Sequence, residues 1–295
     1  MIFLTFVQDN ELHLGVKGDA GIVDLTETAR SRLGRALGIP RSPANLFALG
    51  LDADRRVEML LAELDPSACL PRQEKQLQLG PPVPHPGKIV CVGRNYRKHA
   101  QEMDADVPTE PLLFSKYANA IAASGDAVDI SGLEQVDYEA ELAVVIGKRG
   151  KHIAETDSLA HVLGYANAND LSDRALQYRS SQFLIGKSLD GFLPLGPYLV
   201  TADEVGDPQD LPIRGWLNEE LRQESHTSLM VFSVAEIVSY VSRFMTLEPG
   251  DLILTGTPEG VIKGRKDKAW LKPGDEYLVE VGPLGRLRTK FEARA

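Results

Sequence analysis

The chain has 295 residues, 43% of them hydrophobic and 25% charged, which is typical of a folded globular protein with a substantial core. The 42 acidic residues outnumber the 32 basic ones, the formal charge is −10, and no basic stripe is present, so nucleic acid is not expected as a partner. No apolar run approaches the ~18 residues that span a bilayer, and the first residues lack a signal-peptide pattern, so we expect a cytoplasmic protein without a membrane partner.

Residues 1–80 predict a small N-terminal α+β domain. "IFLTFV" (2–7) and "LHLGV" (12–16) predict a hairpin, while "ETARSRLGRALG" (27–38) and "ADRRVEMLLAEL" (53–64) have helical spacing. The segment 79–88, "LGPPVPHPGK", carries four prolines and predicts a linker. The small domain is either a packing appendage or a support for a lid or a dimer contact.

Residues 81–295 predict a second, larger domain rich in short strands. Strand patterns are "KIVCVG" (88–93), "LLFSK" (112–116), "ELAVVIG" (141–147), "PYLVT" (197–201), "IRGWLN" (213–218), "DLILTG" (251–256) and "DEYLVEVG" (275–282). Helical patterns are "YRKHAQEM" (96–103), "DSLAHVLG" (157–164), "DRALQYRS" (173–180) and "SVAEIVSYVSRFM" (233–245). Because helices and strands do not alternate regularly, the pattern favours an α+β, mainly β fold with antiparallel or mixed sheets and peripheral helices.

The stretch "VDYEAELAVVIGKRG" (136–150) places Glu139 and Glu141 two residues apart at the head of an apolar strand. Alternate residues of a strand face the same side, so the two carboxylates repel each other unless a cation lies between them. A hard divalent cation, Mg²⁺ or Mn²⁺, is one solution, and Asp170 in "GYANANDLSDR" offers a third oxygen ligand. The alternatives are solvated carboxylates at a strand end and a helix N-cap for Asp170.

Two further motifs carry candidate catalytic groups. Lys187 lies in the apolar segment "FLIGKSLDGFLPLGP", where its ammonium could stabilise the negative charge of an enolate, or could simply reach solvent. His99 and Glu102 in "GRNYRKHAQEM" are three apart on a predicted helix, the spacing of a general-base pair and also of a surface ion pair.

Candidate substrate-binding groups come from two other segments. Arg174 and Gln177 in "DRALQ" share one helical face, where an arginine fork suits a carboxylate, although a surface pair has the same spacing. The turn "LTGTPEGV" (254–261), which contains Thr257, offers hydroxyl and N–H groups to an anion or is only a turn.

Three other sequence patterns give no evidence of a further functional site. "SSQFLIGKS" (180–188) has Ser181 where a phosphate-binding loop needs glycine. The basic stretch "KGRKDK" (263–268) predicts a solvated loop. Cys69 and Cys91 lack CxxC partners and indicate no disulfide framework, as expected in a reducing cytoplasm.

Together, "GRNYRKHAQEM", "DYEAELAVVIGK", "GYANANDLSDRALQ", "GKSLDGFLPLGP" and "LTGTPEGV" resemble, in order and spacing, the fumarylacetoacetate hydrolase superfamily over about residues 81–292. The resemblance implies a mixed β-sandwich roll, a homodimer, and an N-terminal domain like that of some bacterial members. It implies that Glu139, Glu141 and Asp170 bind Mg²⁺ or Mn²⁺.

The resemblance also implies roles for the remaining candidates. His99 and Glu102 would form a dyad on a short lid helix, and Lys187 would contact the substrate or its enolate. The substrate-binding residues would be Arg174, Gln177 and Thr257. Two positions depart from the family pattern, because Ala175 replaces an aspartate and Glu259 stands where many relatives have a small residue. A Glu259 side chain inside the pocket would disfavour a second substrate carboxylate.

The reaction implied is that of a metal-dependent enzyme acting on a small 2-oxo or 2-hydroxydienoic acid through a metal-stabilised enolate. Decarboxylation or tautomerisation of an oxaloacetate-type acid, hydrolysis of an acylpyruvate C–C bond, and isomerisation of a 2-hydroxyhepta-2,4-diene-1,7-dioate all share that enolate. A catalytically silent 2-oxo acid binding protein and a plain structural module are the non-enzyme alternatives.

Overall fold

A computed structural model describes residues 1–18, 21–64 and 73–294. The strands in these ranges are β1 (Ile2–Gln8), β2 (Glu11–Gly18), β3 (Gly21–Asp24), β4 (Gln78–Gly80), β5 (Ile89–Gly93), β6 (Leu112–Ser115), β7 (Ile121–Ala122), β8 (Ala127–Asp129), β9 (Val136–Asp137), β10 (Ala140–Ile146), β11 (Val162–Asn169), β12 (Ser172–Asp173), β13 (Leu193–Thr201), β14 (Pro212–Leu217), β15 (Glu220–His226), β16 (Leu252–Leu254), β17 (Glu276–Val281) and β18 (Arg286–Glu292). The α-helices are α1 (Leu25–Thr28), α2 (Arg32–Leu37), α3 (Pro43–Leu49), α4 (Asp52–Glu63), α5 (Arg97–Glu102), α6 (Arg174–Gln177), α7 (Leu184–Lys187), α8 (Ala202–Val205) and α9 (Val234–Phe244). Short 3-10 helices span Glu74–Gln76, Ala118–Ala120, Glu155–His161, Thr227–Leu229 and Ile262–Gly264.

Two mixed sheets build most of the molecule, and a small third sheet pairs β9 with β12. The larger has the order β3-β2-β1-β13-β11-β10-β16-β5-β6, with β4 beside β1 and β7 beside β13, and the smaller has the order β15-β14-β17-β18-β8. Most neighbouring strands are antiparallel, while β16–β5, β13–β7 and β18–β8 are parallel. This architecture confirms the predicted α+β, mainly β fold class.

The core lies between the two sheets. Strands β10, β11 and β13 are buried along their whole length, whereas β17 and β18 alternate between buried and partly exposed residues. Continuous burial means that both faces of the central strands are covered, and alternation means that the smaller sheet turns one face to solvent. Tyr138 and Tyr277 stack across the interface at a ring-centroid distance of 4.1 Å.

The N-terminal strands continue the larger sheet. The predicted hairpin forms as β1 and β2, joined by Asp9 and Asn10, both with positive φ as a two-residue hairpin turn requires. β1 also pairs antiparallel with β13. The segment 81–88 contains no helix or strand, and the boundary near residue 80 stays a prediction.

Two helical predictions are wrong in detail. Residues 27–38 form two helices, because the Ser31 hydroxyl accepts the Gly34 N–H at 2.9 Å and starts α2 as a new N-cap. Residues 157–164 end a 3-10 helix and enter β11, since the apolar run from Val162 pairs with β10 in the core. Within the described ranges, no helix is long and apolar enough to cross a membrane.

The strand order brings several chain segments together at one end of the central strands of the larger sheet. β10 begins where its antiparallel neighbours β11 and β16 end, and β5 runs parallel to β16. The segments after β5, β11 and β16, and the residue before β10, therefore meet there. These segments contain "GRNYRKHAQEM", Asp170, "TGTPEGV" and Glu139.

Candidate active site

The predicted metal ligands converge at this end of the central strands. Ala140 pairs with Asn169, so Glu139 lies opposite Asp170, and the Asp170 N–H donates to the Glu139 carbonyl at 2.9 Å. One carboxylate oxygen from each of Glu139, Glu141 and Asp170 lies within 4.8 Å of the others, and all three residues are buried. Antiparallel pairing thus assembles the three acids that are separated in sequence.

Buried cations surround two of the three acids. Lys187 Nζ lies 2.6 Å from Glu139 Oε2 and 2.8 Å from Asp170 Oδ2. Lys116 Nζ lies 2.6 Å from Asp170 Oδ1, and Arg174 Nη2 lies 2.7 Å from Glu139 Oε1. Burial by itself lowers the pKa of Lys187, yet the charges of Asp170 and Glu139 outweigh it and raise that pKa above its usual range. The two carboxylates therefore favour the charged form of Lys187.

Glu141 differs from its two neighbours, because no described cation lies within ion-pair distance of its carboxylate. Its Oε2 accepts the Gly256 N–H at 2.8 Å. Burial, followed by the charges of Asp170 and Glu139, raises the pKa of Glu141 well above its ordinary value. A divalent cation would relieve this repulsion, and a set of three carboxylates suits Mg²⁺ or Mn²⁺. The residues present therefore fit such an ion.

Asp137 anchors Arg174. Arg174 Nε donates to Asp137 Oδ2 at 2.9 Å, and its Nη1 donates to Gln177 Oε1 at 2.9 Å. Asp137 also accepts the Ile262 N–H at 2.8 Å and the Lys263 N–H at 3.1 Å. The predicted pair Arg174 and Gln177 is thus brought together, but its guanidinium is engaged by protein carboxylates. We call the buried charged residues of this site the inner charge cluster: Lys116, Asp137, Glu139, Glu141, Asp170, Arg174 and Lys187.

Helix α5 brings His99 and Glu102 over the cluster. His99 Nδ1 lies 3.5 Å from Glu102 Oε2 and makes no hydrogen bond to a described residue. Both Glu102 oxygens instead accept the Gly260 N–H, at 3.0 and 3.1 Å. A Cβ on Gly264 would lie 2.0 Å from Glu102 Cγ, so this helix packs tightly on the loop that follows β16.

Thr257 lies on the cavity wall with its hydroxyl engaged by the protein. Oγ1 donates to the Ala140 carbonyl at 2.9 Å and accepts from Gln223 Nε2 at 2.9 Å. Gln223 Oε1 in turn accepts from the Ala140 N–H and from the Tyr277 hydroxyl. This network fixes the turn beside Glu141, and the contact of Thr257 with substrate stays a prediction.

These groups surround one cavity of about 220 Å³. Its lining comprises Val92, Gly93, Arg94, His99, Met103, Asp104, Ala105, Leu112, Phe114, Glu139, Glu141, Arg174, Gln177, Tyr178, Phe183, Lys187, Thr257 and Lys263. The volume suits a small organic acid, and the lining combines charged and apolar side chains. Every predicted site residue except Glu102 and Asp170 lines the cavity directly, and those two contact residues that do.

Several residues of the site were missed from the sequence. Asp137 lies two positions before Glu139, so the same alternation that singled out the glutamates pointed to it. Lys116 closes the strand pattern "LLFSK" as a lone charge after apolar residues, which is a weak signal. Lys263 belongs to the basic stretch expected to be solvated. That expectation holds for the exposed Lys266 and Lys268 but is wrong for Lys263, which lines the cavity.

The remaining sequence features do not line the cavity. Glu259 Oε1 lies 3.4 Å from Lys98 Nζ and does not line the cavity. Ala175 is half-buried on α6, where Asp173 supplies the N-cap by accepting the Leu176 N–H at 2.8 Å. Cys91 is buried and free, and Cys69 lies outside the described residues.

Comparisons with known proteins show which sequences and structures this chain resembles. The profile of the family described as fumarylacetoacetate (FAA) hydrolase C-terminal matches residues 88–292. The mitochondrial oxaloacetate tautomerase FAHD2B of Bos taurus is 43% identical over 283 residues, covering 94% of this chain and 87% of the relative. The solved structures that match include two that align over the full length of this chain and of their own chain. Fumarylacetoacetate hydrolase of Exiguobacterium antarcticum has a TM-score of 0.80 at 35% identity. Maleylpyruvate hydrolase of Sphingobium sp. SYK-6, in complex with manganese(II) ion and pyruvate, has a TM-score of 0.81 at 29% identity.

Proposed function

The chain belongs to the fumarylacetoacetate hydrolase family and is an enzyme, and we propose that it catalyses the keto–enol tautomerisation of oxaloacetate or a close 2-oxo acid in the presence of Mg²⁺ or Mn²⁺. The observation that carries the proposal is the uncompensated, buried Glu141 beside Glu139 and Asp170 at the end of a small cavity. The curated relative that covers most of the chain supports oxaloacetate as the substrate.

Glu139, Glu141 and Asp170 would hold the divalent ion, which when bound supplies Lewis-acid polarisation of the substrate oxygens. Lys187 adds a fixed positive charge that stabilises the negative charge developing on the keto oxygen. Arg174 orients Glu139, because its guanidinium spans the Asp137 and Glu139 carboxylates.

Tautomerisation moves one proton between C3 and the oxygen at C2. His99 is the residue we assign to this transfer, since its imidazole lines the cavity and its Nδ1 has no described hydrogen-bond partner. Glu102 beside it would stabilise the protonated ring, while the cavity and helix α5 shield the reacting atoms from water.

Hydrolysis of an acylpyruvate is the second candidate. The His99–Glu102 pair, with 3.5 Å between Nδ1 and Oε2, is an arrangement that could activate a water molecule. The two reactions differ in their products, since hydrolysis cleaves a C–C bond and consumes water, whereas tautomerisation changes neither carbon count nor mass.

A substrate panel tests the proposal. Purified protein with Mg²⁺ or Mn²⁺ is given enol-oxaloacetate, acetylpyruvate, fumarylpyruvate and a 2-hydroxydienedioate, with product analysis and with EDTA and Glu141→Ala as controls. We expect metal-dependent conversion of enol-oxaloacetate to the keto form that both controls abolish. Cleavage of an acylpyruvate without tautomerase activity would replace the first candidate with the second.

We also propose that the chain forms a homodimer. The groove along edge strand β6 has a volume of about 600 Å³, and Tyr117, Ile185 and Phe244 near it are 57%, 48% and 63% exposed. Exposed apolar side chains of this size are typical of protein contact surfaces. Light scattering after size-exclusion chromatography should give twice the 32.3 kDa chain mass. The cytoplasmic location stays a prediction.

A further inference from the structure

One wall of the cavity is a row of three aromatic rings with a lysine at each end. Phe114 and Phe183 meet edge-to-face at 5.8 Å, and Phe183 and Tyr178 meet edge-to-face at 6.1 Å. Lys187 Nζ lies 5.1 Å from the Phe114 centroid, and Lys263 Nζ lies 3.5 Å from the Tyr178 centroid. All five side chains line the cavity, and the row runs from the buried Lys187 to the half-exposed Tyr178.

The two lysines differ in their charge partners. Lys187 contacts Glu139 and Asp170 at ion-pair distance. Lys263 Nζ has no carboxylate oxygen of the described residues within ion-pair distance. The other two carboxylates of the lining, Asp104 and Glu141, pair with neither lysine. The Tyr178 ring holds the ammonium by a cation–π contact without neutralising its charge. Lys263 is therefore a fixed cation that remains available to an anionic ligand.

The backbone of Lys263 is also held in place. Its N–H donates to Asp137 Oδ2, the oxygen that also accepts from Arg174 Nε. The adjacent Gly264 packs directly against the Glu102 side chain. A cation on such a preorganised loop needs little ordering when it binds a ligand.

We propose that Lys263 determines substrate specificity by binding the distal carboxylate of a dicarboxylic 2-oxo acid, with Arg94 as a second cation of the cavity lining. The inference rests on the proposed function, because the 2-oxo acid end of the substrate would occupy the inner end of the cavity. Arg94 lines the cavity and likewise has no carboxylate partner among the described residues. We call three partly or fully exposed residues of the cavity lining the outer rim: Arg94, Tyr178 and Lys263.

Glu259 does not oppose this assignment. A glutamate inside the pocket would repel a second carboxylate, but its Oε1 lies 3.4 Å from Lys98 Nζ and outside the cavity lining. The Glu259 carboxylate is therefore not among the groups that face a ligand, and Asp104 is the exposed acid of the lining.

Matched acid pairs test the proposal by binding, independently of turnover. Oxaloacetate and 2-oxobutanoate differ only by a terminal carboxylate in place of a methyl group, as do 2-oxoglutarate and 2-oxopentanoate. Calorimetric titration with Mg²⁺ compares the wild type with Lys263→Met, which keeps the apolar stem, and Lys263→Arg, which keeps the charge. Lys266→Met, at an exposed position of the same loop, is the matched control.

We expect Lys263→Met to weaken binding of the dicarboxylate in at least one pair roughly 10- to 100-fold, while its monocarboxylate changes less than about twofold. Lys263→Arg should retain most of the preference, and Lys266→Met all of it. Equal weakening of both members of each pair, or no weakening, would overturn the role of Lys263. If the wild type bound no 2-oxo acid in a metal-dependent manner, the proposed function itself would fail.

Discussion

The inner charge cluster and the outer rim of the same cavity use their charges differently. In the cluster, three cations, Lys116, Arg174 and Lys187, face four buried carboxylates, and nearly every charged atom has a partner within 3 Å. At the rim, Arg94 and Lys263 have no described carboxylate partner. Paired charges in a low-dielectric site stabilise each other, whereas a cation without a carboxylate partner can bind an anionic ligand. The comparison predicts large effects from changes in the cluster and selective effects from changes at the rim.

Loss of Lys187 should have the largest effect. Lys187→Met leaves the buried Glu139 and Asp170 with one cation each, which should abolish activity and lower the free energy of unfolding by roughly 3–5 kcal/mol. Chemical denaturation of the metal-free protein measures this, with the exposed Lys151→Met as the matched control. A variant that unfolds within about 1 kcal/mol of the wild type would show that the ion pairs are not structural.

Asp137→Asn should have the next largest effect, because it removes the anchor shared by Arg174 and the Lys263 backbone. We expect a loss of roughly 2–3 kcal/mol in stability and weaker binding of both mono- and dicarboxylic 2-oxo acids. Denaturation and titration measure the two effects, with the exposed Asp267→Asn as control. If only dicarboxylate binding fell, Asp137 would act on the rim alone.

The Glu141 carboxyl predicts how stability depends on pH. Its pKa is raised in the folded chain, so the folded chain keeps a proton at pH values where the unfolded chain has lost it. The contribution of Glu141 to the free energy of unfolding of the metal-free protein should therefore fall as pH rises above 4.5, the ordinary value for glutamate. Glu141→Gln should lessen this decline by roughly 1–3 kcal/mol.

Thermal melts in EDTA from about pH 5 to about pH 8 measure that difference between wild type and variant. The exposed Glu134→Gln serves as control. Parallel profiles for wild type and Glu141→Gln would mean that the folded chain does not raise the pKa of Glu141.

Glu259→Ala should have the smallest effect. The Lys98 side chain of its ion pair is 69% exposed, so the loss should be below about 1 kcal/mol and activity should change less than about threefold. Kinetics at low and high salt check this, since screening should weaken the same pair in the wild type. A tenfold change in the preference for dicarboxylates would instead place Glu259 inside the cavity.

Sequence patterns predicted the strands and the acids of the cluster well, because period-two alternation and apolar runs are local properties. The family, the α+β fold and the enzyme class are confirmed. The same period-two alternation includes Asp137, which is a further acid of the cluster that the sequence motifs alone did not single out. The partners of each acid could not be predicted, since Lys116 and Asp170 meet only through strand pairing. The same holds for Lys263, whose neighbour Tyr178 is 85 residues away in the chain.

The central claim is that Glu141 completes a cation site which the cluster's own lysines leave unsatisfied. The direct test is calorimetric titration of the metal-free protein with Mn²⁺ and Mg²⁺, comparing wild type, Glu141→Gln and the exposed control Lys266→Met. We expect one ion per wild-type and control chain, with proton release at pH values below the raised pKa of Glu141, and at least about 100-fold weaker binding by Glu141→Gln. Equal affinity in all three proteins would contradict it.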